Sequence, residues 1–393
     1  MKSLDEKLAL LQAKLQAPKP SLTIMIIGLG SVGLYLLDYL VSLSDSRLHI
    51  VVAGRNSDKM KQDVNIVRTA STIRGVLRSH IDIEGECFLD DVQSITRVLT
   101  KWTPDYIINC SRVYSGLKYG SISWHNLRSY GIWTPLSIRY ARNIMDAYEK
   151  ADCKAVSINT SYSDAVIPWL KSAGKDYFDF GSGNLNHLIP RMKFYIASQY
   201  EIDNLNDIDV TLAVSHFHDV VISKEGHAEG QDILLNVKFQ GKTLDFDKHA
   251  LLKACMIDMP VDQKRNMMNA SSNFNIIHSI IDAIDRKKKV KIHTPGVLGE
   301  IGGYPYVIDA TGGQIVSYFD TSVFSLEAMR EANKQSIYLD GIAEVSEGCL
   351  LYTKELIDKV QNSFGVTLPI KIKFNEIDEV GQYIIDEIIT PRV

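Results

Sequence analysis

The run Leu22-Thr23-Ile24-Met25-Ile26-Ile27 is followed at once by Gly28-Leu29-Gly30-Ser31-Val32-Gly33, and then by apolar sequence to Leu43. A continuous apolar run of strand length reads as a central parallel strand buried on both faces. Three glycines at that spacing, between such a strand and a helix, make a tight strand-to-helix turn. The first lets the chain turn sharply, the second leaves room against the backbone, and the third lets the helix pack close to the strand. Thr23 to Leu43 is long and mostly apolar, but its glycines and Asp38 read as strand, turn and buried helix rather than a membrane span.

The same alternation continues. Strands are expected at His49–Ala53, within Ser79–Leu89, at Asp105–Cys110 and at Ala155–Asn159, with helices from Ser57, from Asp90 to Lys101 and over 131–150. Strands alternating with helices predict an α/β fold with a doubly wound parallel (Rossmann) sheet. After about residue 160 the character changes. A helix is expected from Asn184 to Tyr200, a strand leading into a loop over 208–223, and a hairpin around Gly241-Lys242. A helix follows over 264–286, then a glycine-turn hairpin from Tyr304 to Tyr318 and a helix from Ser325 to Ser336. The chain of 393 residues therefore divides into a helical extension (1–20), a dinucleotide-binding Rossmann domain (21–160) and an α+β substrate and dimerisation domain (161–393). In the extension, Leu4, Leu8, Leu11 and Leu15 form one apolar helical face, either a flap on its own subunit or a dimer contact.

Composition narrows the partners. A net charge of -4 argues against nucleic acid, whose usual footprint is a basic surplus. Five scattered cysteines without a C-x-x-C pair fit reduced thiols in cytoplasm, and the charged first residues do not read as a signal peptide. Neither a membrane partner nor a metal is expected, and a homodimer is the base-rate expectation.

A helix N-terminus behind a glycine turn offers unpaired N–H groups to phosphates. Gly28, Gly30, Ser31, Val32 and Gly33 are thus the expected diphosphate cradle of a nicotinamide dinucleotide, the alternative being a tight turn without a ligand. About 20 residues on, an NAD site usually carries an acidic residue for the ribose. This chain has Gly54-Arg55-Asn56-Ser57 instead. Arg55 suits a 2′-phosphate, with Asn56 and Ser57 adding neutral hydrogen bonds, so NADP is favoured over NAD. Asn109-Cys110-Ser111 and Asn159 end strands where a nicotinamide ribose would lie, or are ordinary strand-end caps.

Hydride transfer to a C=O or C=N bond needs a proton partner, and histidine suits that task near neutral pH. His216-Phe217-His218-Asp219 supplies two candidates, which face the same way if the segment is a strand, with Asp219 available to orient an imidazole. Zinc ligation by this trio is disfavoured because adjacent strand residues point oppositely. Arg191, on one helical face with His187, is the candidate clamp for a substrate carboxylate. Arg112 and Arg128 stand in the segment 111–130, either a closing loop or an ordinary one.

The N-terminal half, through Gly28–Gly33, Ala53-Gly54-Arg55-Asn56 and Pro104–Cys110, resembles the NADP-binding domain of the saccharopine dehydrogenase-like family. The order of later features is similar to that of lactate/malate dehydrogenases over roughly residues 24–340. Asn159-Thr160-Ser161-Tyr162-Ser163-Asp164 stands where those enzymes have an Asn-Pro-x-Asp strand end. The Arg191 helix stands where they have Leu-Asp-x-x-Arg, and Ser215–Asp219 where they have a His-Gly-Asp loop. The resemblance implies that His216 or His218 is the acid/base and Arg191 the carboxylate anchor. It departs at Leu188, where those enzymes have the Asp that pairs the catalytic His, and at Thr160, where they have proline. The function expected is an NAD(P)-dependent dehydrogenase or reductase acting on a small carboxylate-bearing carbonyl/alcohol or imine/amine. The alternatives are a cyclase or synthase holding the cofactor as an internal redox helper, and a non-catalytic dinucleotide sensor.

Overall fold

The structure, a computed structural model, describes residues 3–114, 119–120, 122–183 and 185–392. Six strands form one parallel sheet: β1 (Leu22–Ile27), β2 (Leu48–Ala53), β3 (His80–Glu84), β4 (Tyr106–Asn109), β5 (Val156–Asn159) and β6 (Phe180–Gly181). Their spatial order is β3-β2-β1-β4-β5-β6, with every neighbouring pair parallel. The order reverses between β1 and β4, which opens a crevice beyond their C-terminal ends.

The helices, in chain order, are α1 (Leu4–Leu15), α2 (Ser31–Ser42), α3 (Ser57–Ile73), α4 (Val92–Trp102), α5 (Thr134–Lys150), α6 (Ser163–Ser172), α7 (Leu188–Tyr200), α8 (His216–Glu225), α9 (Lys248–Ala254), α10 (Asn266–Arg286), α11 (Leu326–Leu339), α12 (Lys354–Phe364) and α13 (Ile377–Ile384). The apolar run of β1 feeds two cores, because alternate side chains leave opposite faces of a sheet. Ile24 and Ile26 join a core with Leu36 and Leu40 of α2 and Ile276 and Ile280 of α10. Met25 and Ile27 join another with Ile95 and Val98 of α4 and Ile138 and Ile144 of α5. No described helix is long and apolar enough to cross a membrane.

The second half is α+β, as its patterning predicts. Three antiparallel sheets of three strands each are β7-β8-β9 (Ile208–Ala213, Leu234–Phe239, Lys242–Thr243), β10-β11-β12 (Lys289–Pro295, Gly303–Asp309, Val316–Phe319) and β13-β14-β15 (Ile342–Ser346, Cys349–Tyr352, Lys371–Lys373). The last of these is not among the elements expected from the sequence.

α1 lies on its own subunit. Its four leucines are buried, and a capping box between Ser3 and Glu6 starts it. Lys7, fully buried, places Nζ 2.8 Å from both carboxylate oxygens of Asp179. Gln12 accepts from the Ile315 N–H and donates to the Gly313 carbonyl.

Two expected segments shift. The helix expected from Asn184 begins at Leu188, with Pro190 in its first turn, where a missing N–H costs nothing; Asn184 itself lies outside the described residues. The segment around 208–223 is not a strand running into a loop. The strand ends at Ala213 and α8 starts at His216, behind an extended Ser215. In the stretch 111–130, Ser123–Leu127 forms a π-helical turn, while 115–118 and 121 lie outside the described residues.

Candidate functional site

A cleft of about 1070 Å³ opens at the C-terminal ends of β1, β4 and β5. Gly28, Gly30, Ser31, Val32, Gly54, Arg55, Asn56, Cys110 and Ser111 line it. The three glycines divide the work as their spacing predicts. Gly28 takes φ +93°, which an L side chain rarely adopts. A Cβ on Gly33 would meet the Gly28 carbonyl oxygen at 2.2 Å, so only glycine lets α2 pack this close. A Cβ on Gly30 would meet nothing within 4 Å; it would project into open space. Gly30 is also the N-cap of α2 and supplies no side chain to satisfy the helix's first N–H groups. Open room against the backbone, beside unpaired N–H donors, fits a diphosphate.

Four of the expected cofactor residues do not line the cleft. Gly33 acts through packing alone. Ser57 opens α3 from behind, against Gly85. Asn109 and Asn159 are buried, and the Asn109 amide donates to the Asn159 carbonyl oxygen at 2.9 Å. They are strand-end caps: Asn109 accepts from the Ser111 N–H, and Asn159 donates to the Ser161 carbonyl, which fixes two serines that do line the cleft. Beyond the end of β2, Arg55 is exposed, and Asn56 spends its side-chain oxygen capping α3 through the Lys59 N–H.

His216 lines the opposite end of the cleft. Its Nδ1 stands 2.9 Å from Oδ2 of Asp340, and its backbone N–H donates to Asp164 at 3.0 Å. Asp340 is fully buried and also accepts from the Tyr162 hydroxyl and the Tyr130 N–H, each at 2.7 Å. The Tyr130 and Tyr162 rings meet the imidazole edge-on. Burial pulls the His216 pKa down, but the charge and hydrogen bond of Asp340 outweigh it, so the net shift is upward. With Nδ1 held, Nε2 is left for the cleft.

His218 and Asp219 depart from their expected roles. Because His216 opens a helix, His218 lies about 200° further round the helix, since successive residues step by about 100°. It is fully buried, with Nδ1 on the Ser336 hydroxyl and Nε2 donating to the Glu229 carbonyl. Burial lowers its pKa. Asp219 orients neither of these imidazoles; its Oδ2 lies 3.6 Å from Nδ1 of His187.

Arg191 lines the cleft yet is 3% exposed. Its Nη1 donates to the Cys255 carbonyl at 2.6 Å, and burial pulls its pKa down against the opposing charge of Asp219. Of the seven buried side-chain atoms without a hydrogen bond among the described residues, three stand in this corner: Arg191 Nε, His187 Nε2 and Asp219 Oδ1. An unmet buried polar atom costs roughly 1–3 kcal/mol, which a bound ligand can recover. Arg265 and Lys224 also line the cleft, with Asp219 and Asp262 as neighbouring carboxylates, and Arg265 stands close enough to oppose the charge of Arg191. Sequence reasoning missed Asp340, Tyr162 and Arg265; no spacing pattern connects them to the histidine.

No protein-family profile and no curated protein matches the chain. Solved structures do resemble it. Cryptosporidium parvum malate dehydrogenase aligns at a TM-score of 0.50 and 12% identity, over 81% of this chain and 98% of that one. Aeropyrum pernix malate dehydrogenase gives 0.48 and 14%, over 81% and 97%. Eimeria maxima lactate dehydrogenase, solved with NADH and oxamate, gives 0.48 and 14%, over 81% and 92%. The first of these supports the Rossmann fold; the saccharopine dehydrogenase-like resemblance finds no counterpart among them.

Proposed function

We propose that this chain is an NAD(P)-dependent oxidoreductase acting on a small carboxylate-bearing carbonyl/alcohol or imine/amine. The observation that carries the reading is that His216, held by Asp340, opens onto the same cleft as the Gly28–Gly33 turn. A nicotinamide dinucleotide bound there supplies or accepts the hydride. Gly30 and the first turn of α2 would hold its diphosphate, and Arg55 a 2′-phosphate, which favours NADP. His216 Nε2 gives a proton to the substrate oxygen or nitrogen in reduction and takes it back in oxidation. Asp340 steadies the imidazolium and fixes which ring nitrogen faces the substrate. Arg191 anchors the carboxylate in a corner whose buried donors otherwise stay unpaired. Five free cysteines support a reducing, cytoplasmic setting, and a homodimer accompanies the reading.

The test is to add NADPH or NADH with a panel of 2-oxo acids, with and without an amine, and follow oxidation of the nicotinamide. Turnover with at least one pair is expected. Arg55→Asp should weaken NADPH binding about tenfold or more relative to NADH, since a charge-assisted pair is replaced by repulsion. An equal loss for both removes the phosphate role.

A further inference from the structure

We propose that His49, His80 and Asp82 form a binding site for a divalent transition-metal cation of the zinc, nickel and copper class. The site is separate from the cleft: it lies near the N-terminal ends of β2 and β3, whereas the cleft lies at the C-terminal edge of the sheet. His49 and His80 are direct partners in the register of these two parallel strands. Asp82 is two residues along β3 and so shares a face with His80. Both imidazole Nε2 atoms converge on one carboxylate oxygen, Asp82 Oδ2, at 2.7 Å from His49 and 3.1 Å from His80.

The donor set and spacing fit a cation. The three donor atoms lie within 4.8 Å of one another. Ligands sharing a zinc ion at about 2.0–2.2 Å stand roughly 3.3 Å apart, so small side-chain rotations suffice. Two imidazoles and a carboxylate favour zinc, nickel or copper over magnesium or calcium, which prefer all-oxygen cages. The indole of Trp102 stands 5.5 Å from the His49 ring at the last turn of α4, and the carbonyl end of a helix favours positive charge. His80 is 72% exposed and Asp82 37%, so an ion enters from solvent and keeps water on its open side. The bound ion would clip β3, the edge strand, to β2.

A second group of three, Glu225, His227 and Glu229, offers comparable donors. There the guanidinium of Arg128 already pairs with both carboxylates, so the place of a cation is taken.

The experiment uses the full chain stripped with a chelator, titrated with zinc chloride by calorimetry and with nickel or copper chloride by tryptophan fluorescence. One saturable equivalent is expected, with quenching of Trp102 and a rise in Tm on adding zinc. His80→Ala, at an exposed position that the fold does not need, and Asp82→Asn should each weaken the affinity about tenfold or more. His249→Ala, at an exposed histidine elsewhere, should leave it unchanged. The absence of saturable binding at millimolar metal overturns the proposal, as does binding that survives His80→Ala and Asp82→Asn unaltered.

Discussion

Asp340 holds Nδ1 of His216 at 2.9 Å although 124 residues separate the two in the chain. The carboxylate is fixed from three sides, by the imidazole, the Tyr162 hydroxyl and the Tyr130 N–H. The lactate/malate-like pattern leads one to seek its equivalent at Leu188, on the helix that carries Arg191. The carboxylate that pairs with His216 stands instead at the end of α11.

His216 should therefore titrate above the ordinary imidazole value of ~6.5. Its folded pKa is raised, so its contribution to stability is fully present below the unfolded value and lost as pH rises through the folded one. Proton NMR of the histidine Cε1–H resonances reads this directly. Asp340→Asn should move the midpoint downward. A midpoint below 6.5 in the unmodified chain, or one unmoved by Asp340→Asn, contradicts the pairing.

The two histidines should separate by the kind of damage their loss does. His216→Ala is expected to lower kcat/KM roughly a hundred- to ten-thousand-fold, the range for a positioned acid/base, beside a smaller loss of Tm because the buried Asp340 keeps only Tyr162 and Tyr130 as partners. His218→Ala should chiefly lower stability, because it empties a fully buried site and takes the imidazole donor from the Glu229 carbonyl, while the Ser336 hydroxyl keeps Ser215 as a partner. Steady-state kinetics beside thermal melts distinguish them, and a reversed pattern sinks the assignment.

Lys7→Met should destabilise the whole chain. It strands the buried Asp179 carboxylate, which otherwise pairs with Lys7 while accepting from Ser157. Breaking a buried pair at one partner costs about 3–5 kcal/mol. Urea unfolding measures it, and a change below about 1 kcal/mol, the worth of an exposed pair, would mean that α1 is dispensable.

The sheet was legible in the sequence because its signals are local. An apolar run, three glycines and repeated strand-helix alternation each lie within a few dozen residues and imply a doubly wound parallel sheet; the order β3-β2-β1-β4-β5-β6 is set by tertiary pairing. The site was legible only in part. Order along the chain points to Arg191 and His216, and both line the cleft. Strand spacing would put His218 beside His216, but Ser215 starts a helix there and turns His218 into the core. Asn109 and Asn159 looked like ligand contacts, yet they bond each other, a choice that depends on the register of β4 against β5. Asp340 and the sheet β13-β14-β15 were invisible, since tertiary packing alone brings the end of α11 to the start of α8.

The most direct test of the central claim is calorimetric titration of NADPH and NADH into the unmodified chain and into Gly30→Val. A Cβ at Gly30 meets no protein atom within 4 Å and its φ is -81°, so the variant should fold normally while filling the room left for a diphosphate. The account predicts saturable binding to the unmodified chain, tighter for NADPH, and its loss in Gly30→Val at unchanged Tm. Failure of both nucleotides to bind the unmodified chain, or equal binding to the variant, would contradict it.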